Sequence, residues 1–161
     1  ADEAPILSVF GGKLTTYRKL AESALAQLAP FFKDMKPSWT AKASLPGGED
    51  MSTPAVLSAE LTQRCTWLPA DIAQRWARTY GSRSWRLLEG VQSLADMGDN
   101  LGAGLYTREV DYLCSTEWAT TAEDVLWRRS KLGLFMTAEE RAGVQQYLDV
   151  VARRKGAIEA A

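Results

Sequence analysis

The apolar positions near the N-terminus change their spacing at a pair of glycines. Residues 5–10 (PILSVF) are mostly apolar and end at Gly11-Gly12, a pattern that predicts a short buried strand. After Lys13, apolar side chains recur at steps of three and four residues as far as Phe32, as they do on one face of a helix. This part of the chain therefore predicts a strand, a glycine turn and a helix.

The next stretch of sequence follows neither period. Residues 36–53 contain Pro37, an LPGG turn at 45–48 and scattered polar side chains, so we expect a crossing segment without regular secondary structure. We place the domain boundary in this segment. It separates a first part, residues 1–35, from a second domain at residues 54–161.

The second domain has the period of helices almost throughout, and its helix starts carry local signals. These signals are a proline after a capping threonine, or a threonine three residues before a glutamate. They occur at Thr53-Pro54, at Thr120 with Glu123, and at Thr137 with Glu140. A glycine-containing loop at 93–104 interrupts the pattern, and the whole region predicts about six helices. The fold class is therefore mainly α.

Composition narrows the chemistry that these residues can perform alone. The 161 residues contain no histidine, which excludes a Ser-His-Asp triad, a Cys-His dyad and an HExxH zinc site. The two cysteines, Cys65 and Cys114, lack metal-ligand spacing, and we interpret them as free thiols of a cytosolic protein. We predict no metal site and no self-contained catalysis.

The charge and hydropathy of the chain bear on its partners. A net charge of −1 gives no overall field that would attract nucleic acid. No apolar run approaches the roughly 20 residues of a membrane-spanning helix, and the acidic N-terminus lacks the basic start of a signal peptide. We therefore expect a cytoplasmic protein whose membrane association, if it has any, is peripheral.

The sequence GGK at residues 11–13 places a lysine at the predicted strand-to-helix turn. The first turn of a helix has backbone N–H groups without intrahelical partners, and glycine lets a ligand approach them closely. Together with the lysine charge, the turn suits a phosphate, a carboxylate or the electron-rich edge of a flavin. It matches neither a Walker A loop nor a dinucleotide-binding fingerprint. A tight turn that serves only packing is the alternative.

A longer string around this turn carries a family resemblance. SVFGGKLTTYRKLAE at 8–22 resembles the last strand and helix of the FAD domain in FAD-dependent glycerol-3-phosphate dehydrogenases. LPGG at 45–48, RWARTYGSRS at 75–84 and EWATTAEDVLWRRSKLGL at 117–134 resemble the helical C-terminal domain of the same family, in the same order. The aerobic, respiratory bacterial enzyme is the nearest likeness within that family. The resemblance covers essentially the whole chain, as the C-terminal portion of a larger enzyme.

The resemblance implies a fold and a reaction. The fold is an all-helical C-terminal domain of about six helices, preceded by the last strand and helix of an FAD-binding α/β domain. The family oxidises sn-glycerol 3-phosphate to dihydroxyacetone phosphate with FAD and passes the electrons to a membrane quinone. Its GxGxxG nucleotide site belongs to an N-terminal part that these residues do not include. We therefore expect FAD only in the full-length enzyme, and no activity from this fragment alone.

The resemblance also implies site residues. Gly12, Lys13, Leu14 and Thr15 match the segment whose backbone donors face the pyrimidine edge of the flavin, where negative charge develops. Lys13 matches a lysine near the substrate, where its charge either holds the phosphate or polarises the reacting oxygen. Lys13 is accordingly the candidate catalytic residue.

The implied partners are the N-terminal FAD-binding part of the same polypeptide, sn-glycerol 3-phosphate and a quinone at the cytoplasmic face of the inner membrane. A homodimer is left open, and nucleic acid is excluded. The alternative hypothesis is a stand-alone helical module that docks a partner protein or a membrane. Basic clusters at 128–131 and 153–155 would then form its docking surface, although positive charge is also favoured near helix C-termini. The tryptophans would belong to the same surface, although aromatic side chains at helical spacing are usually core or interface anchors. They are Trp67, Trp76, Trp85, Trp118 and Trp127.

Overall fold

The computed structural model describes residues 4, 6–49 and 53–159. Its contacts divide the chain into two compact units, Ala1–Leu45 (unit 1) and Pro46–Ala161 (unit 2). The described residues contain helices and turns but no strand, which confirms the mainly α class. The predicted domain bounds at 35 and 54 stay a prediction.

Unit 1 is built around one helix. A 3₁₀ turn at Leu14–Thr16 leads into α1 (Tyr17–Leu28), and a second 3₁₀ turn at Ala29–Phe31 ends it, with Pro30 in its first turn. None of these elements contains a buried residue. The helix that the sequence predicts is therefore present, but its apolar side chains have no core to enter within this unit.

The strand predicted over residues 5–10 is not formed. Residues 6–13 have no regular secondary structure, and Pro5 lies outside the described residues. A strand is stable only when a neighbouring strand accepts and donates its backbone hydrogen bonds. No such neighbour exists in the described part of the chain, so the apolar pattern alone does not produce a strand here.

Unit 2 is helical, as predicted, and several helix starts lie where the sequence places them. Its elements are α2 (Pro54–Arg64), α3 (Ala70–Thr79), α4 (Ser84–Leu87), α5 (Thr107–Thr116), a π-helix (Asp124–Arg129) and α6 (Ala138–Glu159). Short 3₁₀ turns occur at Gly81–Arg83, Leu94–Met97 and Leu132–Leu134. At the start of α2, the Val56 N–H donates to Thr53 Oγ1 at 3.2 Å, which confirms the predicted threonine cap.

One predicted capping box is confirmed and the other is displaced by one residue. At the start of α6, the Thr137 N–H donates to Glu140 Oε2 at 2.7 Å, and the Glu140 N–H donates to Thr137 Oγ1 at 3.2 Å. The predicted pair Thr120–Glu123 is wrong, because Thr121 and Asp124 form the reciprocal bonds, at 3.0 and 3.2 Å.

Asp124 takes the capping role that the sequence predicts for Glu123. Its Oδ2 also accepts the Thr120 N–H, at 3.1 Å, so one side chain caps two backbone donors. The Thr120 N–H and the Thr121 hydroxyl hold the pKa of Asp124 well below its ordinary range. Glu123 is left to pair with Arg128, at 3.0 Å on the helix surface.

Unit 2 has a core of its own. Its largest fully buried side chains come from the five α-helices, the π-helix, the 3₁₀ turn at Leu94–Met97 and the loop before α5. They include Leu61, Trp76, Leu87, Met97, Leu105, Val110, Leu113, Val125, Leu126 and Val144. Of the five tryptophans noted above, Trp76 is fully buried, and Trp67, Trp85 and Trp127 pack against the core. Trp118 differs, since 85% of it is exposed.

In the π-helix, a backbone hydrogen bond spans five residues instead of the four of an α-helix. The Ser130 N–H donates to the Val125 carbonyl, five residues earlier, at 3.1 Å, and the Ser130 hydroxyl donates to the same oxygen at 2.6 Å. Such segments are rare and are frequently found at functional sites.

No helix in the described ranges is both long and apolar enough to cross a bilayer.

Candidate functional site

The glycine turn before α1 has a backbone that favours glycine. Gly11 has φ +75° and Gly12 has φ +147°, in a region that side-chain-bearing residues rarely adopt. A Cβ on Gly11 would meet no atom within 4 Å, and one on Gly12 would meet only Leu20 Cδ2, at 3.2 Å. The glycines are therefore required by the path of the backbone and not by packing within unit 1.

The helix start beyond the glycines is open. The Lys13 carbonyl accepts from the Thr16 N–H at 2.9 Å and from the Thr16 hydroxyl at 3.0 Å. No side chain caps the first turn, so the N–H groups ahead of Thr16 are available to an acceptor from elsewhere. Gly12, Lys13, Leu14 and Thr15 all lie on this exposed turn. Their assignment to FAD and substrate stays a prediction.

A carboxylate of α1 binds this helix to the crossing segment, and no sequence pattern predicted the contact. Glu22 Oε1 accepts from the Thr40 hydroxyl at 2.6 Å and from Arg18 Nη1 at 2.7 Å. Hydrogen bonds from the Ser38 and Thr40 hydroxyls lower the pKa of Glu22 to about 2. The pair Arg18–Glu22 has the helical spacing of four residues, but no local signal reveals a contact between residues 22 and 40.

In unit 2, two of the motifs that carry the resemblance meet at their glycines. The Ser82 N–H donates to the Gly47 carbonyl at 2.8 Å. A Cβ on Gly81 would overlap that carbonyl oxygen, and a Cβ on Gly47 would overlap the Tyr80 carbonyl. The Glu49 carboxylate accepts from the Gly47 N–H at 2.6 Å and closes the turn. The LPGG and RWARTYGSRS segments therefore need glycine where they touch.

A buried carboxylate joins α3 to α5. Glu109 is fully buried, and Arg75 donates to its two oxygens at 2.5 and 2.8 Å. Trp76 Nε1 and the Tyr80 hydroxyl also donate to it, at 2.9 and 2.6 Å. Burial, and then the Glu109 charge, raise the pKa of Tyr80 well above its ordinary value. Every oxygen of this carboxylate is occupied, which indicates a structural role.

The described residues contain no group of three or more potential metal ligands of the His, Cys, Asp and Glu types. Cys65 and Cys114 are not joined by a disulfide, as the interpretation as thiols requires. Burial raises the pKa of the Cys65 thiol, which makes it less reactive.

Comparison with known proteins identifies the family. The family described as the C-terminal domain of alpha-glycerophosphate oxidase matches residues 38–160, which is most of the chain. The chain belongs to this family. Its members are helical C-terminal domains, in agreement with unit 2.

Individual proteins that are longer than this chain also match it. A glycerol-3-phosphate dehydrogenase of Pseudomonas tolaasii is 68% identical over 99% of this chain. The aerobic glycerol-3-phosphate dehydrogenase of Escherichia coli K12 is 44% identical over 91% of it. A D-erythritol 1-phosphate dehydrogenase of Brucella abortus is 40% identical over 91%. The chain spans only 31%, 29% and 29% of these relatives, and it corresponds to their C-terminal part.

Proposed function

We propose that this chain is the C-terminal part of an FAD-dependent glycerol-3-phosphate dehydrogenase that oxidises sn-glycerol 3-phosphate to dihydroxyacetone phosphate. The observation that carries the proposal is the 68% identity to a glycerol-3-phosphate dehydrogenase over 99% of the chain. Because the chain spans 31% of that relative, the remaining parts of the site belong to sequence outside the match, and the chain alone is inactive.

The glycine turn fits a flavin edge. Gly11 and Gly12 leave the backbone accessible, and the uncapped N–H groups of Lys13, Leu14 and Thr15 point away from the helix that follows. The helix dipole adds positive potential at the same point. FAD, when bound there, supplies the hydride acceptor, and a quinone at the cytoplasmic face of the inner membrane takes the electrons. The N–H groups stabilise negative charge on the flavin edge without moving.

Lys13 provides a full positive charge beside this edge. It either pairs with the substrate phosphate or polarises the oxygen at the reacting carbon, and the two roles differ kinetically. A phosphate contact acts in ground and transition states alike, so its loss raises KM. Polarisation acts more strongly in the transition state, so its loss lowers kcat.

The N-terminal FAD-binding part of the same polypeptide is the proposed partner of unit 1. Phe10 is 93% exposed and Leu14 is 86% exposed, and both flank the glycine turn. Exposed apolar side chains that form a patch mark protein interaction sites. Their exposure supports a further protein surface at this turn.

The first test is the intact mass of the native protein from its own cells, together with its visible absorption spectrum. A flavin-coloured chain several times larger than 17.7 kDa supports the proposal. A colourless native product of 17.7 kDa overturns it, and then favours the second candidate function, a helical module that docks a partner. The exposed Trp118 is the observation in favour of that second candidate.

The substrate is tested in the full-length enzyme, because one relative is a D-erythritol 1-phosphate dehydrogenase. We expect a higher kcat/KM with sn-glycerol 3-phosphate than with D-erythritol 1-phosphate. The reverse order would reassign the substrate and leave the flavin assignment intact.

The Lys13→Gln variant of the same enzyme tests the turn. We expect kcat/KM to fall by at least about tenfold, since a charge-assisted contact is worth about 1.5–3 kcal/mol. The exposed Lys42→Gln serves as the matched control, and it should leave kcat/KM unchanged. Unaltered kinetics in Lys13→Gln would remove Lys13 from the site.

A further inference from the structure

A cavity of about 260 Å³ lies within unit 2, where the three motifs of this domain meet. The turn at 45–48, the end of α3 and the start of the segment at 117–134 all contribute to its lining. Its charged groups are Arg83, Glu117 and Arg129, and Thr79, Tyr80 and Leu113 line much of the remainder. Segments distant in sequence thus build one concave polar surface.

The lining carries a net positive charge. Two guanidinium groups face a single carboxylate, and Arg83 Nη1 lies 3.7 Å from Glu117 Oε1, beyond hydrogen-bond distance. Tyr80 adds no charge, because its pKa is raised well above the ordinary value by burial and its hydroxyl donates to Glu109 at 2.6 Å. The Glu49 carboxylate accepts from the Gly47 N–H at 2.6 Å and also interacts with the Arg83 charge, but it lies outside the lining. The lining itself carries one net positive charge.

Arg129 also retains unused donors. Arg129 donates through Nε to the Glu117 carbonyl oxygen at 2.8 Å, which fixes the side chain and leaves its terminal nitrogens for another acceptor. Among the described residues, no carboxylate lies within ion-pair distance of Arg129. A guanidinium group with its outer edge unoccupied is suited to two parallel hydrogen bonds with an oxyanion.

The backbone around the cavity is held in uncommon conformations. Gly81, next to Tyr80, has φ +57°, and Trp118, next to Glu117, has φ +56° although it carries a large side chain. The π-helix ends at Arg129. A positive φ at a residue other than glycine and a π-helix both occur preferentially at functional sites.

We propose that this cavity binds a small oxyanion, a phosphate or a carboxylate group, between the guanidinium groups of Arg83 and Arg129. Glu117 competes with the ligand for the same charges and so limits its affinity. The proposal goes beyond the dehydrogenase function and uses residues of unit 2 alone.

Isothermal titration calorimetry of the 161-residue chain tests the proposal, with inorganic phosphate in one titration and malonate in another. Sodium chloride holds the ionic strength constant, because added salt screens charges on its own. We expect saturable binding of at least one anion, and the tighter of the two identifies the group that the cavity takes. No saturable heat with either anion would overturn the proposal.

Variants separate the cavity from general positive charge. Arg83→Gln and Arg129→Gln should each weaken binding about tenfold, as the loss of one charge-assisted contact predicts. Glu117→Gln should strengthen binding, because the competing carboxylate is removed. The Tyr112 hydroxyl, which donates to Glu117 Oε1 at 3.4 Å, can still donate to the amide oxygen. The exposed Arg78→Gln makes the same charge change outside the lining and should bind as the unaltered chain does.

Two results would contradict the proposal even if an anion binds. One is an equal loss of affinity in Arg78→Gln and Arg83→Gln, and the other is weaker binding in Glu117→Gln. Circular dichroism checks that each variant is folded. If Arg129→Gln is not, because it loses the bond to the Glu117 carbonyl, the variants at Arg83 and Glu117 decide the test.

Discussion

The two units differ in whether their apolar side chains are buried, although both contain amphipathic helices. Unit 2 buries Trp76, Leu113 and Val144 completely, together with many other large side chains. In unit 1, α1 and its flanking turns bury nothing, and Leu25 on the apolar stripe of α1 is 51% exposed. The same helical period therefore has two outcomes, a core in one unit and an exposed stripe in the other.

This difference shows what an apolar stripe predicts. A helix gains most of its stability from the surface against which its apolar face packs, and its sequence does not say where that surface is. In unit 2 the neighbouring helices supply it. In unit 1 the described residues do not, and the proposed function places it on the N-terminal part of a longer enzyme.

The sharpest test of the comparison exchanges one tryptophan in each unit for alanine. Trp76→Ala should lower the free energy of unfolding by about 3–5 kcal/mol, since it empties a fully buried site and removes a donor to Glu109. Trp39→Ala is the control in unit 1, where the side chain is 67% exposed, and it should change the value by less than about 0.5 kcal/mol. Urea denaturation followed by circular dichroism measures both. Similar losses in the two variants would contradict the contrast between the units.

The second test compares two glycines of unit 2. Gly81→Ala should cost about 3 kcal/mol, because the new Cβ overlaps the Gly47 carbonyl and φ is +57°. Gly90→Ala has a similar φ of +74° but no atom within 4 Å of the new Cβ, so it should cost only about 1 kcal/mol. Thermal unfolding of both variants checks the prediction. Equal costs would mean that the contact between residues 47 and 81 does not constrain the fold.

The smallest effect concerns pH in unit 1. Hydrogen bonds from Ser38 and Thr40 lower the pKa of Glu22 from 4.5 to about 2 in the folded chain. A lowered pKa means that the attachment of residues 38–40 to α1 is fully present above the unfolded pKa and is lost as the pH falls from about 4.5 towards 2. Carbon-detected NMR titration of the Glu22 carboxylate should give a midpoint near 2. The Thr40→Val variant should raise this midpoint, and an unshifted one would show that Thr40 does not hold Glu22.

Sequence reasoning succeeded where the signal is local. Thr53 with Pro54 and Thr137 with Glu140 mark their helix starts correctly, because a cap involves only residues three or four positions apart. The same rule put the other capping box one residue too early, since it requires a glutamate three residues after the threonine, whereas Thr121 is followed there by Asp124. An aspartate can accept the same backbone bonds, as Asp124 does, so the choice between neighbouring threonines is not decided by the glutamate alone.

Contacts between residues that are far apart in the sequence could not be predicted from it. From the sequence alone, Glu109 would be expected on the exposed face of a helix. The residues that donate hydrogen bonds to its carboxylate lie 29 to 34 positions earlier in the chain. The cavity residues Arg83 and Arg129 are similarly unmarked. The glycine turn at Gly11-Gly12 was recognisable because its conformation depends on the glycines themselves, whereas the strand before it needs a partner.

The π-helix between Asp124 and Arg129 has a consequence for variation in chain length. The hydrogen bond from the Ser130 N–H to the Val125 carbonyl spans five residues instead of four, as it does where an α-helix contains one extra residue. A chain that is one residue shorter between these positions could close a regular helix without disturbing α5 or α6. The residues on either side would keep their places, whereas Arg129 lies within the shortened segment and would shift relative to Glu117. Among natural variants, a single-residue deletion at this point would therefore preserve the fold and abolish the cavity.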